Sequence, residues 1–182
     1  MPSEFSRTRR IFTLVLFQLL ACLPVRAGEL DVRMAKVVKT FTRSAADVGL
    51  STATLAVMPF KTDKRLAEKR VDYACGEILT DRFIQTHTFT VVERAHLDTV
   101  LKEQALGAGG VVESATAAKL GKLLGARLVI TGSISKLGES YRLSTEMVNA
   151  ETGEILASDV TEVETATFDE DAKKYLVLVP ET

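Results

Sequence analysis

The feature that most limits how this chain can fold is a change of hydrophobic period near residue 127. Upstream, Leu30, Met34, Val37, Val38, Phe41 and Ala45 fall on one face of an α-helix, and Val71, Cys75, Ile78, Leu79 and Phe83 do so again. Downstream the pattern becomes an alternation, with Tyr141, Leu143, Thr145 and Met147 separated by Arg142, Ser144 and Glu146. Three strand-like runs follow one another: Arg127 to Ser135, Ser140 to Asn149 and Glu154 to Val163. A glycine lies in each short connection, Lys136-Leu137-Gly138-Glu139 and Ala150-Glu151-Thr152-Gly153, as an antiparallel meander requires. One face of such a meander meets the core and the other meets water. The expectation is an α/β (α+β) fold: a single mixed sheet, helices largely on one face, and a C-terminal antiparallel three-stranded meander.

The first part of the chain supplies the covering elements. Thr54 to Phe60 is a short apolar run interrupted by Pro59 and reads as a buried strand. A charged loop precedes a helix from about Ala67 to Gln85, and Phe89 to Glu93 reads as a second strand. A helix carrying Leu97, Val100 and Leu101 follows at once, and Gly107-Ala108-Gly109-Gly110 reads as a flexible breaker. Ser114 is a candidate N-cap and Gly125 a natural C-cap for the next helix, and a last helix is expected near Phe168 to Tyr175. The divisions are a leader over 1–27, an amphipathic helix within 28–53, a domain over 54–165 and a helical tail over 166–182.

The leader sets the compartment. Arg7, Arg9 and Arg10 precede an apolar run from Ile11 to Val25, and Val25-Arg26-Ala27 closes it. Charged start, apolar middle and small-residue end are the three parts of a secretory signal, cut between Ala27 and Gly28. The run is shorter than the roughly 20 apolar residues of a membrane-spanning helix, and Gln18 and Pro24 interrupt it. Alternatives stand beside this reading. Leu19-Leu20-Ala21-Cys22 resembles a lipobox, in which Cys22 would carry a lipid anchor, and Thr8-Arg9-Arg10-Ile11-Phe12 resembles a twin-arginine signal. The protein is therefore expected in the periplasm or, with Cys22 lipidated, on the outer membrane.

Charge excludes one class of partner. The 182 residues hold 23 Lys+Arg and 24 Asp+Glu, a net of −1, but the leader takes four arginines and one glutamate with it. What remains is mildly acidic, and no basic surface for nucleic acid is implied. The charge is polarised along the sequence: nine basic and three acidic residues from Arg33 to Arg70, one basic and ten acidic from Glu139 to Asp171. Such blocks can steer one copy onto another, or simply be two solvated faces.

Catalytic patterns are missing from the sequence. His87 and His96 match no metal-ligand spacing, two cysteines make no disulfide framework, and Cys75 lies on an apolar helix face. Ser133-Ile134-Ser135-Lys136 has the S-x-x-K spacing but lies on a strand, where positions three apart point to opposite faces. Gly121-Lys122 is followed by Leu123, where a phosphate loop needs Ser or Thr. No catalytic residue, metal or cofactor is expected.

Four segments carry a family resemblance. They are Thr54 to Phe60, Val91 to Gln104 (with its Val-Val-Glu-Arg start), Ala118-Lys119-Leu120-Gly121 through Leu128 to Ser133, and Val148 to Leu156. In order and register, they resemble the CsgG-like domain of the curli production assembly and transport component. The motif residues are Pro59, Phe60, Glu93, Arg94, Gly132, Thr152 and Gly153, and their expected roles are fold-making. Glu93 would complement a helix dipole, Gly132 would permit close backbone approach or a bulge, and Thr152-Gly153 would turn the last hairpin. The resemblance implies a non-enzymatic assembly or transport module acting through protein partners in the cell envelope, with homo-oligomers among them. An accessory subunit of a periplasmic cell-wall enzyme, or of a flagellar or envelope machine, is the alternative it allows. Channel-forming members carry long membrane hairpins. Only Lys136 to Glu139 separates the first two strand runs here, so no pore is implied, and membrane contact would come by lipid anchor or association.

Overall fold

The computed structural model of the chain describes residues 28–104 and 114–176. In chain order the elements are α1 (Glu29–Asp47), β1 (Thr54–Val57), α2 (Lys64–Glu68), α3 (Val71–Gln85), β2 (Thr90–Val91), α4 (Arg94–Glu103) and α5 (Ser114–Leu123). They are followed by β3 (Leu128–Leu137), β4 (Ser140–Asn149), β5 (Ile155–Glu164) and α6 (Thr165–Leu176). The strands form one mixed sheet in the order β2-β1-β3-β4-β5, parallel across β2-β1-β3 and antiparallel across β3-β4-β5. The leader, with Ala27 and Cys22, the Gly107 to Gly110 breaker and the last six residues lie outside the described residues.

The continuous apolar run at β1 has its cause in the topology. The chain leaves β1 through α2 and α3 to reach β2 on one side, then returns through α4 and α5 to β3 on the other. β1 is thus central and covered on both faces, so it cannot alternate apolar with polar residues. Leu55 and Val57 enter one core, with α1, α3 and α6; Ala56 and Met58 enter a second, with α4 and α5. Most helical residues lie on the first face. The second core is smaller and reaches only as far as Val129, Val148 and Ala150. Among the described residues, no helix covers the outer face of the meander beyond those positions.

The meander follows the alternation. β3 and β4 pair over ten positions, from Leu128 opposite Asn149 to Leu137 opposite Ser140, and close through a two-residue turn in which Gly138 has φ +58°. On the inner face, Tyr141, Leu143 and Met147 are buried under the helices, and the Tyr141 ring meets Phe168 of α6 edge-on at 5.0 Å.

Two elements differ from expectation. The helix expected from Ala67 to Gln85 is two helices. Asp63 caps α2 by accepting from Leu66 N at 3.0 Å, and Arg70 then adopts the left-handed conformation at φ 57°, which restarts the chain as α3. That conformation costs a non-glycine residue about 1–2 kcal/mol. The Arg70 guanidinium, stacked 4.7 Å from the Tyr73 ring centre, offsets part of it. β2 is shorter than the expected Phe89 to Glu93 run, pairing with β1 over Thr90 and Val91 alone before α4 begins at Arg94.

Candidate functional site

The chain leaving β1 builds a polar hollow on the open face of the meander. Met58 N donates to Ile130 O at 2.8 Å and Lys61 N to Gly132 O at 2.9 Å, so β1 is prolonged along β3. Pro59, which has no N–H to donate, falls between these two bonds. Phe60 is fully buried and turns its ring under Gly132. A Cβ at residue 132 would overlap both that ring and the Ser144 carbonyl, so only glycine lets the three segments close together. Lys61 then emerges beside Ser133.

Around it lies a pocket of about 230 Å³ lined by Lys61, Thr131, Gly132, Ser133, Ser144 and Glu146. The register explains its shape. Ser133 stands opposite Ser144 and Thr131 opposite Glu146, so small hydroxyl side chains make a floor that Lys61 and Glu146 flank with opposite charges. The surrounding face is polar. Arg142 and Glu162 approach at 3.8 Å but are both half exposed, which gives such a pair little energy. Val160, next to Ser144, is 54% exposed. A shallow hollow with one cation, one carboxylate and hydroxyls can hydrogen-bond a partner's backbone or side chains.

No nucleophile–base pair is assembled there. His87 follows α3 and His96 is on α4. Lys136 stands opposite Tyr141, on the other face of the sheet from Ser133, so the S-x-x-K spacing brings nothing together. Cys75 is fully buried, and burial pushes its thiol well above the ordinary range. Among the described residues no group of three or more His, Cys, Asp or Glu side chains could hold a metal ion, and no helix is long and apolar enough to cross a membrane.

The other motif residues lie apart from this pocket. Glu93 takes the N-cap position of α4 with extended backbone, but its side chain makes no capping hydrogen bond. Arg94 braces α4 against α3: it stacks 5.3 Å from the Tyr73 ring and approaches Glu77 at 3.7 Å, while forming an ion pair with Asp98 on its own helix at 3.1 Å. Burial raises the Glu77 carboxyl above its usual value despite Arg94, and does the same to Asp72. Gly153, at φ +79°, closes the β4–β5 turn, where Thr152 Oγ1 bonds Glu154 at 3.0 Å. Gly28 is the N-cap of α1. The sequence reading found Gly132 but missed Lys61, Ser144 and Glu146. Its only hint was a glycine inside a strand, because Lys61 and Glu146 come to line one pocket through register and not through spacing.

With this geometry in view, the comparisons are specific about fold. The family model for CsgG, the curli production assembly/transport component, matches residues 61–146. No curated protein matches the chain. Among solved structures, the LpoB C-terminal domain from Salmonella enterica is 20% identical, with a TM-score of 0.56 over 72% of this chain and 96% of that one. The same domain from Escherichia coli gives 0.55 at 20% identity over 72% of this chain and 96% of that one. The NMR structure of E. coli LpoB gives 0.58 at 20% identity, over 72% of this chain and 65% of that one.

Proposed function

We propose that this chain, whose residues 61–146 carry a CsgG-type domain, is a non-enzymatic cell-envelope protein that works by binding other proteins through the open face of its meander. The helix-free face around Lys61, Ser133, Ser144 and Glu146 is the observation that carries this reading. The smaller core stops short of it, so ten-residue strands present a polar surface that no described element covers. The leader places the protein in the periplasm after cleavage at Ala27–Gly28, or on the outer membrane if Cys22 is lipidated. Among the described residues, β3 and β4 join through a two-residue connection, with no membrane-spanning hairpin inserted between them.

A photo-crosslinking residue at Ser144, introduced in the native host, tests the reading. The expected result is one discrete adduct from envelope fractions, lost when Lys61→Glu reverses the pocket's cation. A second copy in the adduct favours an assembly role, and a cell-wall enzyme favours an accessory role. Adducts no different from those at a control site on α4, such as Lys102, would sink the proposal.

A further inference from the structure

We propose that the α-ammonium group exposed by cleavage between Ala27 and Gly28 binds the Asp171 carboxylate and so fastens α1 to α6. The proposal rests on the export reading above and extends it from where the chain is cut to what the new terminus does. In the cut, water adds across the Ala27–Gly28 amide under the hydrolase of the export route. The C–N bond breaks, Ala27 keeps the carboxylate, and Gly28 keeps the nitrogen as an ammonium.

Two independent observations meet at this peptide bond. The sequence ends its leader at Val25-Arg26-Ala27. The packing makes residue 28 a place where a side chain could fit only by displacing the Asp171 carboxylate. Asp171 of α6 reaches the first turn of α1, where Oδ2 accepts from Leu30 N at 3.0 Å. Its carboxylate lies so close to Gly28 that a Cβ there would overlap it. Gly28 has φ −59° and ψ 156°, extended backbone open to any residue. The glycine therefore serves the contact with Asp171 and not a special backbone conformation.

The electrostatics give that contact a purpose. An ammonium at a helix N-terminus opposes the helix dipole and the unpaired N–H groups of the first turn. A carboxylate brought from another element offsets both. The charged groups engaged around the first turn of α1 include Glu29, Asp31 and Arg33 of α1, Arg82 of α3 and Asp171 of α6. Glu29 is engaged with Arg33, Asp31 is paired with Arg82 at 3.0 Å, and on α6 Lys173 is turned to Glu170. Asp171 is the carboxylate placed against Gly28. In the uncut chain the same nitrogen is a neutral amide, so the ion pair exists only after processing.

The test uses the full chain with its leader, exported by a bacterial host. The intact mass gives the N-terminus, and an amine-reactive ester at neutral pH gives the labelling rate at that terminus, read by peptide mapping. The expected terminus is Gly28. Asp171→Asn should speed its labelling, by about tenfold for each pKa unit of ammonium stabilisation removed. Gly28→Ala keeps the carboxylate but displaces it, and should speed labelling likewise, which covers the case of a poorly folding Asp171→Asn. A lipidated terminus at Cys22, or labelling rates that neither variant changes, would overturn the proposal. An uncut chain retained in the cytoplasm would remove the export reading as well. A chain cut at Gly28 with unchanged rates would remove the ion pair alone.

Discussion

At the scale of single residues, the fold depends most sharply on positions where a side chain would collide or a charge is poorly solvated. Gly132→Ala is expected to cost about 1–3 kcal/mol, because the added methyl must displace the Ser144 carbonyl or the Phe60 ring. Chemical denaturation would measure it, and Phe60→Leu in the same chain should recover part of the loss. Glu77 behaves in the opposite sense. Burial holds its carboxyl above the ordinary 4.5, so the ionised form is less favourable folded than unfolded. The penalty grows as pH rises through 4.5 and is complete above the raised folded value. Glu77→Gln should therefore raise the melting temperature at pH 7, with the advantage fading as pH falls below 4.5; an advantage that persists in acid would contradict this account. Sequence reading picked out Gly132 because glycine is unusual inside a strand. It could not supply Lys61 or Glu146, since their place around one pocket depends on how β1 is prolonged along β3.

At the scale of elements, α1 shows how much a simple period can specify. Every apolar residue on its expected face, from Leu30 through Ala45, is buried in the larger core. Phe41, fully buried, fixes its middle, and Phe41→Ala should cost about 3–5 kcal/mol in thermal or denaturant unfolding. The meander was equally legible, because a two-residue alternation bounded by glycines admits few other structures. Less legible was the break at Arg70, where an arginine adopts a conformation usually left to glycine. The apolar run of β1 marked it as buried, but which helices cover its second face was hidden. α4 and α5 have ordinary amphipathic faces, and which side of the sheet they cover follows from the return path to β3, which local pattern does not encode.

At the scale of the molecule, the charge polarity of the sequence takes a different form in space. Lys36, Lys39 and Arg43 lie exposed on α1, which covers the inner face of the sheet with Val163 of β5, whereas the exposed Glu162, paired opposite Arg142, lies on the open outer face. Basic and acidic groups thus sit on opposite faces of the sheet, an arrangement that suits a head-to-tail contact between copies. Sedimentation should reveal weak self-association at low salt that disappears as salt screens it. A strict monomer at every ionic strength would remove charge-steered pairing. The central place of β1 has a practical counterpart. The matched family segment begins at Lys61, after β1 has ended, and stops at Glu146, before β5 begins. A fragment cut to those limits would lose the strand that separates the two cores, leaving apolar surface bare on both sides. Such a piece is expected to aggregate when produced alone, so any dissection of this protein into working parts has to keep its N-terminal third attached.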